Sequence, residues 1–456
     1  MGQALFQYSA SDVIHHLERG DFTIPDLIDE CFDQIERLNP NLHAWIYLDR
    51  ESATRQAQTL QQQLNEGRPP GKLCGVPVGV KDVFNTADMP TQMGSPIWNG
   101  FTPGNDARVV HSLRMSDAII PGKTVTAEFA VHTPGPTLNP HHPEYMPGTS
   151  SSGSAAAVAS YMVPLALGTQ TAGSIIRPAS YCGVYGFKPS FGLLPRTGML
   201  KTTDTLDTVG VFARTVADLR LLFDVLRVSG LDYPVSNAAL NDPQRQERTG
   251  KTWRIGIVKG PKWNDAEDYA QRALFDFAEK VGKIPELRIE EVLLPESFNE
   301  AHAIHGTIYD RTLAYYFKEE FKHHTLVSPL MYEIINRGNQ ITLDEYRAAL
   351  SRQTKLTAQL DELFDDHDVI LNLSTGGEPL KGLSSVDRPD NCLIWTMCAV
   401  PSVSIPTFVG PNGLPYGAQA ISRRYNDYLL LNFVSLLRDH GLAPEGTNPT
   451  PACAQL

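Results

Sequence analysis

Three short stretches of the chain gather residue types that could do covalent chemistry at a carbonyl. Pro147-Gly148-Thr149-Ser150-Ser151-Ser152-Gly153-Ser154 packs small hydroxyl residues together just before an alanine run. Gly168-Thr169-Gln170-Thr171-Ala172-Gly173-Ser174 sets one serine at the end of a run of small residues, and Gly75-Val76-Pro77-Val78-Gly79-Val80-Lys81 ends in a lysine. A serine hydroxyl attacks a carbonyl only when a base takes its proton, and the oxyanion that forms needs N–H donors already in place. With no Cβ at Gly173 and only a methyl at Ala172, the N–H groups of Thr171, Ala172, Gly173 and Ser174 are free to turn toward one point. Serines also cap helices and fill turns, so neither loop defines a catalyst by itself.

The elements that must hold these residues are legible from periodicity. Valines alternate through 75–81 as a strand requires, which sends Lys81 to the opposite face with Pro77 and Gly79 and places it at a strand end. Residues 117–121 (DAIIP) and 163–168 (VPLALG) read as short buried strands, with a helix over 154–160 directly after the serine loop. Further strands are predicted at 255–258, 369–373 and 403–405, and helices over 341–364 and 426–439. Two helices open the chain between Ser11 and Leu38, broken at Gly20 and stopped by Asn39-Pro40, and a third follows over 53–64. Residues 230–252 and 374–390, rich in Pro, Asp, Asn and Gly, are predicted as surface loops. Alternating strands and helices, with no linker-like run across 70–230, predict an α/β fold. It is a single large domain over 1–456, a mixed twisted sheet flanked by helices on both faces.

Composition narrows the function further. Across 456 residues the net charge is −12 and the basic residues are scattered, so no footprint for nucleic acid or an anionic membrane emerges. The most apolar stretch, 155–167, is too short to span a bilayer, and MGQALFQYSASD lacks the layout of a signal peptide; a cytoplasmic protein is expected. The six cysteines, Cys31, Cys74, Cys182, Cys392, Cys398 and Cys453, lie far apart and read as reduced thiols. A G-x-S-x-G elbow is missing, because Ser152 stands at the last glycine after Gly148-Thr149-Ser150-Ser151. Pro121-Gly122-Lys123-Thr124 lacks the first glycine of a phosphate loop, where Asp117 stands. His302 and His305 share a helical face, and three His-His pairs occur, but without metal-ligand spacing they read as surface histidines.

Taken together, the two serine segments resemble the amidase signature family, with its Gly/Ser-rich loop followed by a G-S-I-R-x-P-like turn. Ser150 and Ser174 are 24 residues apart and Lys81 precedes Ser150 by 69, intervals similar to those of compact members. GVPVGVKDVF (75–84), GKTVTAEFA (122–130), ASYCGVYGFKPSFGLLPRTG (179–198) and LDTVGVFARTV (206–216) extend the resemblance almost continuously over 70–220. NCLIWTMCAVPSVSIP (391–406) and GLPYGAQAI (413–421) extend it more loosely. A variable half at about 230–440 would then shape the substrate pocket, with Trp395, Tyr309 and the 374–390 segment as candidate walls. The resemblance implies Ser174 as nucleophile, Ser150 on a cis peptide bond as proton bridge, and Lys81 as base, with Ser151 hydrogen-bonded to the lysine. Thr171, Ala172 and Gly173 would line the oxyanion hole. Burial among valines would keep Lys81 neutral enough to accept a proton. It implies an amidohydrolase acting on a carboxylic amide, or a related urea or carbamoyl C–N bond, of a small molecule, with no cofactor or metal and with a homodimer left open. The alternatives are an amidotransferase-type glutaminase subunit that passes ammonia to a partner, and an inactive relative that binds. Four positions depart from the family pattern: Thr149 for a glycine, Gln170 for an acid, Ala172 for a glycine, and Arg177 one place late.

Overall fold

The chain is described by a computed structural model over residues 4–248, 250–383, 387–388 and 391–451; Cys453 lies outside the described residues. Eleven strands among the described residues form one sheet. In chain order they are β1 (Trp45–Leu48), β2 (Val78–Lys81), β3 (Gly122–Thr124), β4 (Leu165–Gln170), β5 (Tyr185–Lys188) and β6 (Thr208–Ala213). The later strands are β7 (Trp253–Val258), β8 (Leu287–Val292), β9 (Val369–Leu373), β10 (Ser402–Val409) and β11 (Pro415–Ser422). Their order across the sheet is β1-β3-β2-β4-β6-β5-β10-β11-β9-β7-β8. Parallel pairs stand on both flanks (β3/β2/β4 and β9/β7/β8), while the centre is antiparallel, so the sheet is mixed as expected. Because β5 pairs with β10, the N-terminal and C-terminal halves share one sheet.

Alternation decides which core each strand feeds. Val78, Val80, Leu165 and Leu167 join the largest apolar cluster, whereas Ala166 joins a second one with the alanines of the Ser152–Ala159 helix. Small side chains there let the helix lie close against the strands that carry the site. Among the described residues, no helix is long and apolar enough to cross a membrane.

Several boundaries differ from the sequence expectation. The 117–121 segment makes only one bridge, Ile119 to Pro77, and the strand begins one residue later at Gly122. Pro121 offers no N–H to a ladder and Asp117 sits at φ 65°, outside extended geometry. The second N-terminal helix runs through Asn39-Pro40 to Leu42, since a proline so near the C-terminus costs only one helical bond. The 230–252 loop contains two short helices, Pro234–Leu240 and Pro243–Gln246, each opened by a proline preset for the first turn. Part of the 374–390 segment is not a surface loop: Ser374–Thr375 and Glu378 are buried. Glu378 is held there by Asn412 and by the Tyr269 hydroxyl on its backbone N–H, while 384–386 and 389–390 lie outside the described residues.

Candidate active site

Lys81 is the last residue of β2, where the chain turns so that the N–H groups of Val83 and Phe84 both reach the Lys81 carbonyl. Its side chain is 0% exposed. The Nζ lies 2.8 Å from Ser150 Oγ and 2.8 Å from Thr169 Oγ1, and among the described residues no carboxylate contacts it. Desolvation holds the Lys81 ammonium well below the usual lysine range, and the nearby charge of Asp207 opposes this only in part. That burial favours the neutral amine over the ammonium.

The peptide bond between Thr149 and Ser150 is cis. Gly148, at φ 85°, lets the loop pass Pro178 at a distance where a Cβ would sit 2.9 Å from the Pro178 Cα. No hydrogen bond joins Ser151 to the lysine among the described residues. Its hydroxyl donates to the Thr169 carbonyl (3.2 Å) and accepts from the Thr169 N–H (3.3 Å), fastening the loop to β4. Gly168 is needed for this contact, since a Cβ there would fall 2.9 Å from Ser151 Oγ. Thr169 therefore takes the place expected of Ser151 as the second partner of Lys81, because its side chain, at the end of β4, reaches the amine while Ser151 is occupied with the backbone.

Ser174 closes the turn between β4 and the Ile176–Cys182 helix and is 7% exposed. Three carbonyls of that turn are tied back. His305 Nε2 donates to the Thr171 carbonyl (3.0 Å), Thr396 Oγ1 to that of Ala172 (2.7 Å), and the Arg177 N–H to that of Gly173 (2.8 Å). In a planar trans peptide the N–H points opposite the carbonyl, so the N–H groups of Ala172, Gly173 and Ser174 are aimed away from these anchors. Among the described residues, none of the three meets an acceptor. Among the same residues Ser174 Oγ forms no hydrogen bond, so the structure joins Lys81 to Ser150 but does not close the second link from Ser150 to Ser174.

Gln170 makes use of being an amide. Its carbonyl accepts from the N–H groups of Ile175 (2.8 Å) and Ile176 (3.0 Å), while its NH2 donates to Thr396 Oγ1 (2.8 Å). A carboxylate could not make the last bond. Asp207 anchors the same turn from β6's N-terminal side, accepting from the hydroxyls of Thr171, Thr202 and Thr203 and from two N–H groups. Tyr309 is buried and stacks on His305 (5.5 Å between ring centroids), and both burial and Asp207 raise its hydroxyl above the usual range. Tyr309 thus borders the turn, whereas Trp395 lies wholly in the core beneath it with Ala172 packed against the same cluster. His305 is buried, contrary to its reading as a surface histidine.

Thr169, Asp207, Thr396 and His305 were not singled out from the sequence as site residues. Thr169, Asp207 and Thr396 stand inside the quoted strings, which is a signal of sorts; nothing local marks His305 as a site residue.

The family model Amidase matches residues 26–431, and the chain belongs to the amidase family. It is 30% identical to the A subunit of the glutamyl-tRNA(Gln) amidotransferase of Natranaerobius thermophilus over 93% of both chains. To that of Halalkalibacterium halodurans it is 31% identical over 93% of this chain and 95% of the other. Among solved structures, a chain of a vestigial protein complex bearing on the origins of an s-triazine catabolic enzyme superposes with a TM-score of 0.86. It is 26% identical and covers 96% of this chain and 100% of that one. A structure described as an amidase gives 0.84 at 25% identity, covering 95% and 100%.

Proposed function

We propose that this chain cleaves the C–N bond of a carboxamide through an acyl-enzyme on Ser174, with Ser150 and Lys81 as its proton relay. Neutral Lys81 accepts a proton from Ser150 as Ser150 takes one from Ser174, whose oxygen bonds to the amide carbon. The N–H groups of Ala172, Gly173 and Ser174 receive the oxyanion, and Thr171 stands at the edge of that set. The proton held by Lys81 returns through Ser150 to the leaving nitrogen, ammonia or an amine departs, and water repeats the attack on the ester. The observation that carries this reading is the dry, carboxylate-free amine of Lys81 within 2.8 Å of Ser150 Oγ.

The destination of the nitrogen divides two settings. The amidotransferase relatives, similar over nearly the full chain, support a glutaminase-type protein that hands ammonia to a partner. The amidase at a TM-score of 0.84 supports a hydrolase that works alone on a small amide. The relatives weigh more toward the first. Ammonia release from glutamine and from aliphatic, aryl and carbamoyl amides, measured with the purified chain alone and with co-purified partners, separates them. Labelling by a serine-directed phosphonate, with the adduct mapped by mass spectrometry, tests the shared chemistry. Near-normal turnover by Ser174→Ala would refute the nucleophile.

A further inference from the structure

Two departures from the family pattern meet one another in space. Arg177 Nη1 donates to the Thr149 carbonyl at 3.2 Å, contacts Thr149 Oγ1 at 3.4 Å, and pairs with Asp387 Oδ2 at 2.6 Å. The Thr149 hydroxyl donates to the same Asp387 oxygen. The Arg177 and Asp387 side chains are 5% and 7% exposed, so the ion pair between them is held largely out of water. Through its backbone, Arg177 also donates to the Gly173 carbonyl at 2.8 Å, in the turn that ends at Ser174. One residue therefore grips the turn on one side and the residue before Ser150 on the other.

We propose that Arg177 is a positioning residue that sets the register of the Ser150 loop against the Ser174 turn, with Asp387 as its counter-charge and Thr149 as the third corner. The inference rests on the reading of Ser150 and Ser174 as relay and nucleophile. Among the described residues, neither the Arg177 nor the Asp387 side chain is hydrogen-bonded to Lys81, Ser150 or Ser174. One nitrogen, Nη1, serves both the Thr149 carbonyl and the Asp387 carboxylate, and the rigid guanidinium plane fixes the directions of its N–H groups, which an ammonium on a flexible stem does less well. Asp387 reaches the site from 210 residues away, so this corner also ties the C-terminal half of the chain to the serine loop.

The test uses the full chain and the rate of phosphonate labelling at Ser174, with thermal melting followed in parallel. Arg177→Met strands the Asp387 carboxylate and is expected to lower both melting temperature and labelling. Arg177→Met with Asp387→Leu removes both charges and is expected to melt within about 4 °C of the wild type. Its saturating labelling rate should still fall at least tenfold while the half-saturating concentration holds. Arg177→Lys should behave in the same way and keeps the test open if the double variant does not fold. Wild-type labelling rates in either variant overturn the inference and leave the nucleophile intact. A wild-type chain that is not labelled at Ser174 overturns both.

Discussion

Lys81 and Lys123 stand on neighbouring strands, β2 and β3, one register step apart, and both are fully buried, yet they live in opposite chemical settings. Lys123 Nζ lies 3.2 Å from the Asp82 carboxylate and also donates to the carbonyls of Phe84 (2.9 Å) and Pro90 (3.0 Å) and to Thr91 Oγ1 (2.8 Å). Burial draws it down to about 8, with Asp82 pulling the other way. Lys81 meets two hydroxyls and, among the described residues, no carboxylate, and burial disfavours its ammonium with only the more distant charge of Asp207 opposing it. Burial alone does not make a base; burial without an adjacent anion does. One lysine pins the segment that follows β2, and the other, among the described residues, is bonded only to hydroxyls.

The comparison breaks most visibly on substitution by methionine. Lys81→Met is expected to lower kcat/KM by about 10³-fold with melting unchanged or raised, since no buried partner charge is stranded. Lys123→Met should do the reverse, removing about 3–5 kcal/mol of stability in denaturant titrations because Asp82 stays buried without its cation. Pairing it with Asp82→Asn should restore part of that loss. If Lys123→Met abolished turnover in a fully stable protein, the division of roles would be wrong.

Thr169→Asp sharpens the contrast by giving Lys81 the kind of neighbour that Lys123 already has. A carboxylate favours the ammonium, so Lys81 would need a higher pH to become neutral. The acid limb of kcat/KM against pH should move up by about 1 unit or more. An acid limb that stays in place would remove Lys81 from the base role. The smallest effect is expected of Ser151→Ala, which loses bonds to the Thr169 backbone and not to the amine. About 1 kcal/mol of stability and less than tenfold in rate should go, with the acid limb unmoved.

Legibility in the sequence followed the locality of the signal. Strands β4, β7 and β9 show as valine- or leucine-rich runs within a residue or two of where they lie; β2 starts three residues later than its run of valines, and the reach of β10 to Val409 is underestimated. Strands β5 and β6 do not show in this way: β4 and β9 are just as buried, but Gly186 and Gly210 interrupt the short apolar runs of β5 and β6. The Ala301–Tyr316 helix buries one stripe, but the polar His305 and Thr312 stand inside it while Ala303 and Tyr315 are exposed, so the apolar pattern of the sequence does not follow the buried face. The three residues of the proposed relay were legible because their small neighbours and their spacing are written in contiguous segments.

By itself the sequence determined the residue types of the site, the strand end that bears Lys81, and the serine loop that runs straight into a helix. These depend on side-chain period and on glycine and alanine at close contacts, which are local properties. Only the tertiary structure decided that Thr169 and not Ser151 flanks the lysine. It also decided that His305 and Thr396 tie back the turn of Ser174, and that Arg177 finds Asp387. Each of those contacts joins segments far apart in the chain, and the dryness that favours a neutral amine belongs to the packed interior and to no single stretch of residues.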